Sequence, residues 1–101
     1  MTPPYYAVIF TNNHTAQVEG YNEMAQKMED LAKLQPGYLG MEHAREEMGI
    51  TISYWKTKED IANWKANVDH QMAQKMGREQ WYESYRTRIC LVERDYQFNK
   101  D

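Results

Sequence analysis

The sequence predicts an α+β fold, a ferredoxin-like βαββαβ protomer built on one antiparallel sheet. Three observations carry that expectation. Segments rich in β-branched and aromatic residues alternate with amphipathic runs in the order strand, helix, strand, strand, helix, strand. The connections are short, and the chain has no internal repeat or low-complexity segment. Two strands, Ala7-Val8-Ile9-Phe10 and Ile89-Cys90-Leu91-Val92, are apolar at consecutive positions, the pattern of a sheet covered on both faces.

Tyr5 to Thr11 reads as the first strand, and the polar Asn12-Asn13-His14-Thr15 as the run into a helix with Thr15 at its N-cap. From there Val18, Tyr21, Met24, Met28, Leu31 and Ala32 recur at three- and four-residue steps, with Glu19, Glu23, Lys27, Asp30 and Lys33 on the other face. Gln35-Pro36-Gly37 ends the helix, because proline removes a ladder donor and glycine accepts the turn. Residues 38–46 and 50–56 then form a hairpin around Glu47-Met48-Gly49. Thr57-Lys58-Glu59-Asp60 is a capping-box pattern that opens a second helix near residue 58. That helix carries Ile61, Trp64 and Val68 inward, breaks near residues 67–69, and resumes with Met72, Ala73 and Met76 until Gly77. Arg86 to Tyr96 reads as the last strand.

The 101 residues suit one domain over 1–101 with its core at about 5–96, burying roughly 65% of the unfolded surface. A net charge of -3 without long runs of like charge argues against a nucleic-acid footprint or an anionic membrane surface. No segment approaches a membrane span, and the N-terminus lacks a basic region and cleavage site, so the cytoplasm is the expected compartment. The single Cys90 agrees with a reducing location, and its apolar run predicts packing rather than nucleophilic chemistry. Two helices cover only one face of a four-stranded sheet. The second face predicts a second copy of the chain, in a homodimer with an isologous interface.

The series Pro36-Gly37-Tyr38-Leu39-Gly40-Met41-Glu42, Ser53-Tyr54-Trp55, Trp64 with His70, Gln74 and Gly77, then Trp81-Tyr82 and Tyr85-Arg86-Thr87-Arg88, resembles the antibiotic biosynthesis monooxygenase family. The resemblance implies a dimeric α+β barrel, with a pocket in each protomer between sheet and helices. Relatives of one kind oxidise polycyclic phenols with dioxygen and no cofactor, using an Asn, a Trp four residues on and a Tyr six beyond that. The matching positions here are Asp60, Trp64 and His70. Relatives of another kind degrade haem, and against them Asn12 and Trp64 match, while the position of the haem-ligating His is Gln74, a poor iron ligand that disfavours haem. The resemblance thus implies a small monooxygenase, an oxidoreductase acting on a planar aromatic substrate with no cofactor. The alternatives are a non-catalytic small-molecule-binding dimer and, further off, a haem-degrading monooxygenase.

Within that reading His70 is the candidate base or donor, and Asn12 the candidate hydrogen-bond partner for a substrate carbonyl. Trp64, Tyr54, Tyr82 and Met28 are candidates to bind the substrate, as a stacking ring, two hydroxyls and an adaptable apolar wall. Each has a structural alternative: core packing for Trp64 and Met28, a helix cap for Asn12, a cap or hydrogen-bond partner for His70. His14 reads as solvated, and His43 shares a strand face with Leu39 and Met41. Three scattered histidines predict no metal site.

Overall fold

A computed structural model describes residues 2–75 and 77–100; side chains of residues 71–78 lie outside the described set. The elements are β1 (Tyr5–His14), α1 (Tyr21–Lys33), β2 (Tyr38–Arg45), β3 (Met48–Trp55), α2 (Lys58–Lys75), α3 (Gly77–Trp81) and β4 (Tyr82–Val92). The four strands form one antiparallel sheet in the order β2-β3-β1-β4. This is the ferredoxin-like α+β fold, with α3 as a short addition before β4.

Several boundaries differ from expectation, each for a local reason. Strand β1 runs three residues past Thr11, because Asn12 and Asn13 continue the ladder with β3 and β4 and His14 pairs with β4. Thr15 is therefore no helix cap. Its hydroxyl accepts from the Gln17 amide at 3.1 Å and donates to the Gln80 carbonyl at 2.5 Å, tying the end of β1 to α3. Helix α1 starts instead after Gly20, whose left-handed φ of 81° turns the chain. Helix α2 runs unbroken through residues 67–69, and the Lys65–Asp69 pair at 2.7 Å spans that place one turn apart. Strand β4 begins at Tyr82 and ends at Val92, not at 86 and 96. Strand β2 carries a bulge at Leu39, so Tyr38 rather than Leu39 shares the helix-side face with Met41.

The capping motif at the start of α2 holds: the Thr57 hydroxyl accepts from the Asp60 amide at 3.0 Å and donates to its carboxylate at 2.8 Å. The main core gathers Ala32, Trp55, Ile61 and Trp64. The Trp55 and Trp64 rings stack at 5.8 Å and 27°, and Trp55 is 0% exposed. A smaller cluster of Met24 and Trp81 lies beside it, and Met28 and Val68 touch both.

Paired residues share a face. Tyr6, Val8, Phe10, Asn12 and His14 on β1 point toward the helices. On the opposite face stand Ala7, Ile9, Ile50, Ile52, Tyr54 and the half-buried Cys90, with no helix above them. Strand β4 is poorly covered on the helix side as well, where Ile89 is 55% and Leu91 51% exposed.

Gly37 joins α1 to β2 at a left-handed φ of 80°, and a Cβ there would meet the Asp60 carboxylate. Gly37→Ala therefore imposes both a strained backbone and a displaced cap residue. We expect a loss of about 1–3 kcal/mol in urea unfolding.

Candidate functional site

The last three helix-facing positions of β1, Phe10, Asn12 and His14, meet α1, α3 and the first residues of β4. Asn12 pairs with Gly49 of β3 and Tyr85 of β4, and Gly49 pairs with Arg45 of β2, so the four residues form one row across the sheet. Gly49 is buried, and a Cβ on it would meet the Arg45 guanidinium. The absent side chain thus leaves a channel for the arginine. Through it Arg45 donates to the Asn12 side-chain oxygen, and its guanidinium lies 5.7 Å from the centre of the Tyr21 ring, a cation–π contact. Asn12 is 2% exposed, so this charge-assisted hydrogen bond satisfies a carbonyl that water does not reach.

Aromatic rings flank the Asn12 part of the row, whose end residues Arg45 and Tyr85 are exposed. Phe10 lies 5.6 Å from both Tyr82 and Tyr85, and Tyr21 packs edge-on to Trp81 at 5.7 Å. The Trp81 indole N–H donates to the Glu19 carbonyl at 2.8 Å, fixing that wall. His14 sits inside, its ring 4.1 Å from Tyr21 and 5.8 Å from Tyr82. Its Nε2 is buried and has no hydrogen-bond partner among the described residues. Burial, and secondarily the Arg45 charge, lower its pKa below the usual 6.5, so at neutral pH the imidazole is uncharged and able to accept a proton. No carboxylate pairs with Arg45 among the described residues. A cleft of ≈ 170 Å³ lined by Thr11, Asn13, Met48, Ser84 and Arg86 opens on the other face of the sheet, behind Asn12.

The structure divides the residues expected at the site. Asn12 and Tyr82 belong to this cluster, and Asn12 lies within a strand rather than capping a helix. Met28 sits between the two core clusters. Trp64 is 8% exposed, sealed against Trp55, and Tyr54 stands on the opposite sheet face. The Tyr54 hydroxyl donates to Glu42 at 2.7 Å, which pushes its pKa up to about 12. His70 is exposed, because on an unbroken helix six residues carry it about 240° around the axis from Trp64. It is not brought together with Trp64 or Asn12. The side chain of Gln74 lies outside the described residues. His14, expected in solvent, is instead the histidine with a buried ring nitrogen. Its signal was the two-residue alternation of Phe10, Asn12 and His14, hidden by ending the strand at Thr11.

No protein-family model matches the chain. It is similar to the uncharacterized protein YqjZ of Bacillus subtilis (strain 168), with 45% identity over 101 residues, covering 98% of this chain and 89% of that one. Among solved structures it is similar to a Nitrosomonas europaea protein assigned to the antibiotic biosynthesis monooxygenases (TM-score 0.74, 13% identity, 91% and 93% of the two chains). It is also similar to SnoaB, a cofactor-independent oxygenase from Streptomyces nogalater (0.66, 10%, 97% and 100%). A dimeric ferredoxin-like protein from an uncultured marine organism is a third (0.71, 7%, 96% and 95%). The fold is that of the antibiotic biosynthesis monooxygenase-like proteins, and the chain belongs to the family of YqjZ.

The His14 shift has a consequence for stability. Between its lowered value and 6.5, the unfolded chain binds a proton that the folded chain does not, so stability is complete above 6.5 and declines as pH falls through it. Urea midpoints measured from pH 8 down to 5 should fall, and His14→Gln should flatten part of that slope.

Proposed function

We propose, on the premise that this member of the YqjZ family has the antibiotic biosynthesis monooxygenase fold, that it is a small homodimeric monooxygenase taking a planar aromatic substrate at the β1–β4 end of the sheet. The observation that supports this reading is the cluster of aromatic rings beside an uncharged imidazole and an arginine-bound amide. Rings at these spacings favour offset or edge-on packing with another π system. In this reading the polar groups among them supply orientation to a substrate oxygen.

In this reading no cofactor is needed, since the substrate supplies the electrons and dioxygen is the oxidant. For a polycyclic phenol, one oxygen atom enters the ring as the second carbonyl of a quinone, and the other leaves as water. The protein contributes position, exclusion of water and stabilisation of the anion that reacts. The sheet face of the partly exposed Ile9, Ile50 and Ile52 suits a second copy of the chain, which would also close the cleft behind Asn12.

A second reading is a dimer that binds a small molecule without chemistry. It is favoured by one observation: Trp64 is sealed in the core and His70 faces outward, so neither reaches the cluster.

Oxygen uptake with hydroxylated naphthalenes and anthracenes, together with quinone formation, tests the first reading. We expect uptake in the wild type, a fall of about 100-fold in kcat/KM for Asn12→Ala, and no change for His70→Ala. Binding without uptake would leave the second reading. A haem titration in the same series should leave the Soret band of free haem unshifted. Light scattering should give twice the 12.1 kDa chain mass, and a monomer at micromolar concentration would overturn the dimer.

A further inference from the structure

We infer that the sheet face without helices encodes the orientation of the dimer: a two-fold axis along the strands sets Glu42 of each copy against Arg88 of the other. The inference rests on the homodimer reading and adds to it the direction of the axis and the residues that select it.

Strand register supplies the first observation. Glu42 pairs with Ile52, Ile52 with Ile9 and Ile9 with Arg88, so these residues form one row across β2, β3, β1 and β4. The row lies on the face opposite the helices, and from edge to edge it reads acid, isoleucine, isoleucine, base. Both isoleucines are partly exposed, and both charged ends are exposed.

Charge supplies the second. The charged side chains that the strands place on this face are Glu42 at the β2 edge and Arg86 and Arg88 at the β4 edge, roughly 14 Å apart at three strand spacings. Neither arginine forms an ion pair among the described residues. Glu42 accepts the Tyr54 hydroxyl at 2.7 Å, a bond that positions its carboxylate and leaves lone pairs for further donors.

A two-fold axis lying between two stacked sheets has two simple directions. Along the strands, it exchanges the edges, so the row meets its own reverse. Ile9 then lies against Ile52 of the other copy at the centre, and an acid against a base at both ends. Across the strands, the axis sets each edge on its twin, with Glu42 facing Glu42 and arginine facing arginine. Stacked sheets stand about 10 Å apart, a gap that glutamate and arginine side chains span from opposite sides. Their mutual twist of about 30° tilts the strands without exchanging the edges. Like charges brought together are strongly disfavoured, so only the first direction satisfies the row. Every contact in such an isologous interface occurs twice, which doubles the preference.

Dimer dissociation measured by sedimentation equilibrium tests the charge pairing. Glu42→Arg and Arg88→Glu each set like charges together at both ends of the row, and each should weaken the dimer by about 10-fold or more. Both changes on one chain reverse the row, and should restore the wild-type dissociation constant. Cross-linking tests the direction of the axis separately. In a Cys90→Ser background, a mixture of Glu42→Cys and Arg88→Cys chains treated with a short bismaleimide should give a cross-linked dimer, whereas either variant alone should not. Dissociation constants unchanged by the single reversals, a double variant no tighter than the singles, or a cross-link formed by one cysteine variant alone would overturn the inference and leave the homodimer standing. A wild-type chain that is monomeric at micromolar concentration would overturn both.

Discussion

The arrangement depends on where Trp55 is buried. It is the largest wholly buried side chain among the described residues, at the end of β3, with the Trp64 ring stacked on it from α2 and the Tyr38 ring edge-on from β2. Its indole N–H would be costly inside a core, and the Ser53 hydroxyl two residues back on the same face accepts it at 2.9 Å. Ala32, with no side chain beyond Cβ and no exposure, lets α1 approach the same centre. Both helices are thereby anchored toward the β2, β3 and β1 side of the sheet. Strand β4 receives little cover, and the far end of β1 is left for a separate cluster.

That separation has a chemical consequence. The tryptophan that most resembles a pocket wall in the family serves here as the partner of another tryptophan, and the polar chemistry stands at the end of the sheet instead. Asn12 belongs both to the residues expected at a site and to this cluster. Around it the charge comes from β2, the imidazole from β1 and the rings from α1, α3, β1 and β4. A site assembled from so many elements depends on the strand register, since a slip of one residue in β1 would turn Asn12 and His14 to the other face.

The elements themselves were legible in the chain. Strand propensity marked β1 and the β2–β3 hairpin, three- and four-residue periodicity marked α1, and Thr57 with Asp60 marked the start of α2. The remaining features had no local signal, or a misleading one. The polar Asn12-Asn13-His14 sequence reads as a loop, and tertiary pairing with β3 and β4 overrides that preference. The break expected near Val68 is absent because the Lys65–Asp69 pair and the packing of Val68 continue the helix. The Leu39 bulge shifts Tyr38 into the core, which strict alternation cannot show. Arg45 had no signal as a member of this cluster, because its place there depends on the absence of a side chain four positions later, at Gly49 on the neighbouring strand.

At the other end of β1, the Tyr5 hydroxyl donates to Asp95 at 2.5 Å, binding the residues after β4 to the start of the sheet. The ten residues of β1 run from that tether to His14, roughly 30 Å at strand spacing. Substitutions that far apart with no shared partners act almost additively. The molecule is therefore modular along a single strand: one end can be altered for robustness while the other is varied, and neither change constrains the next.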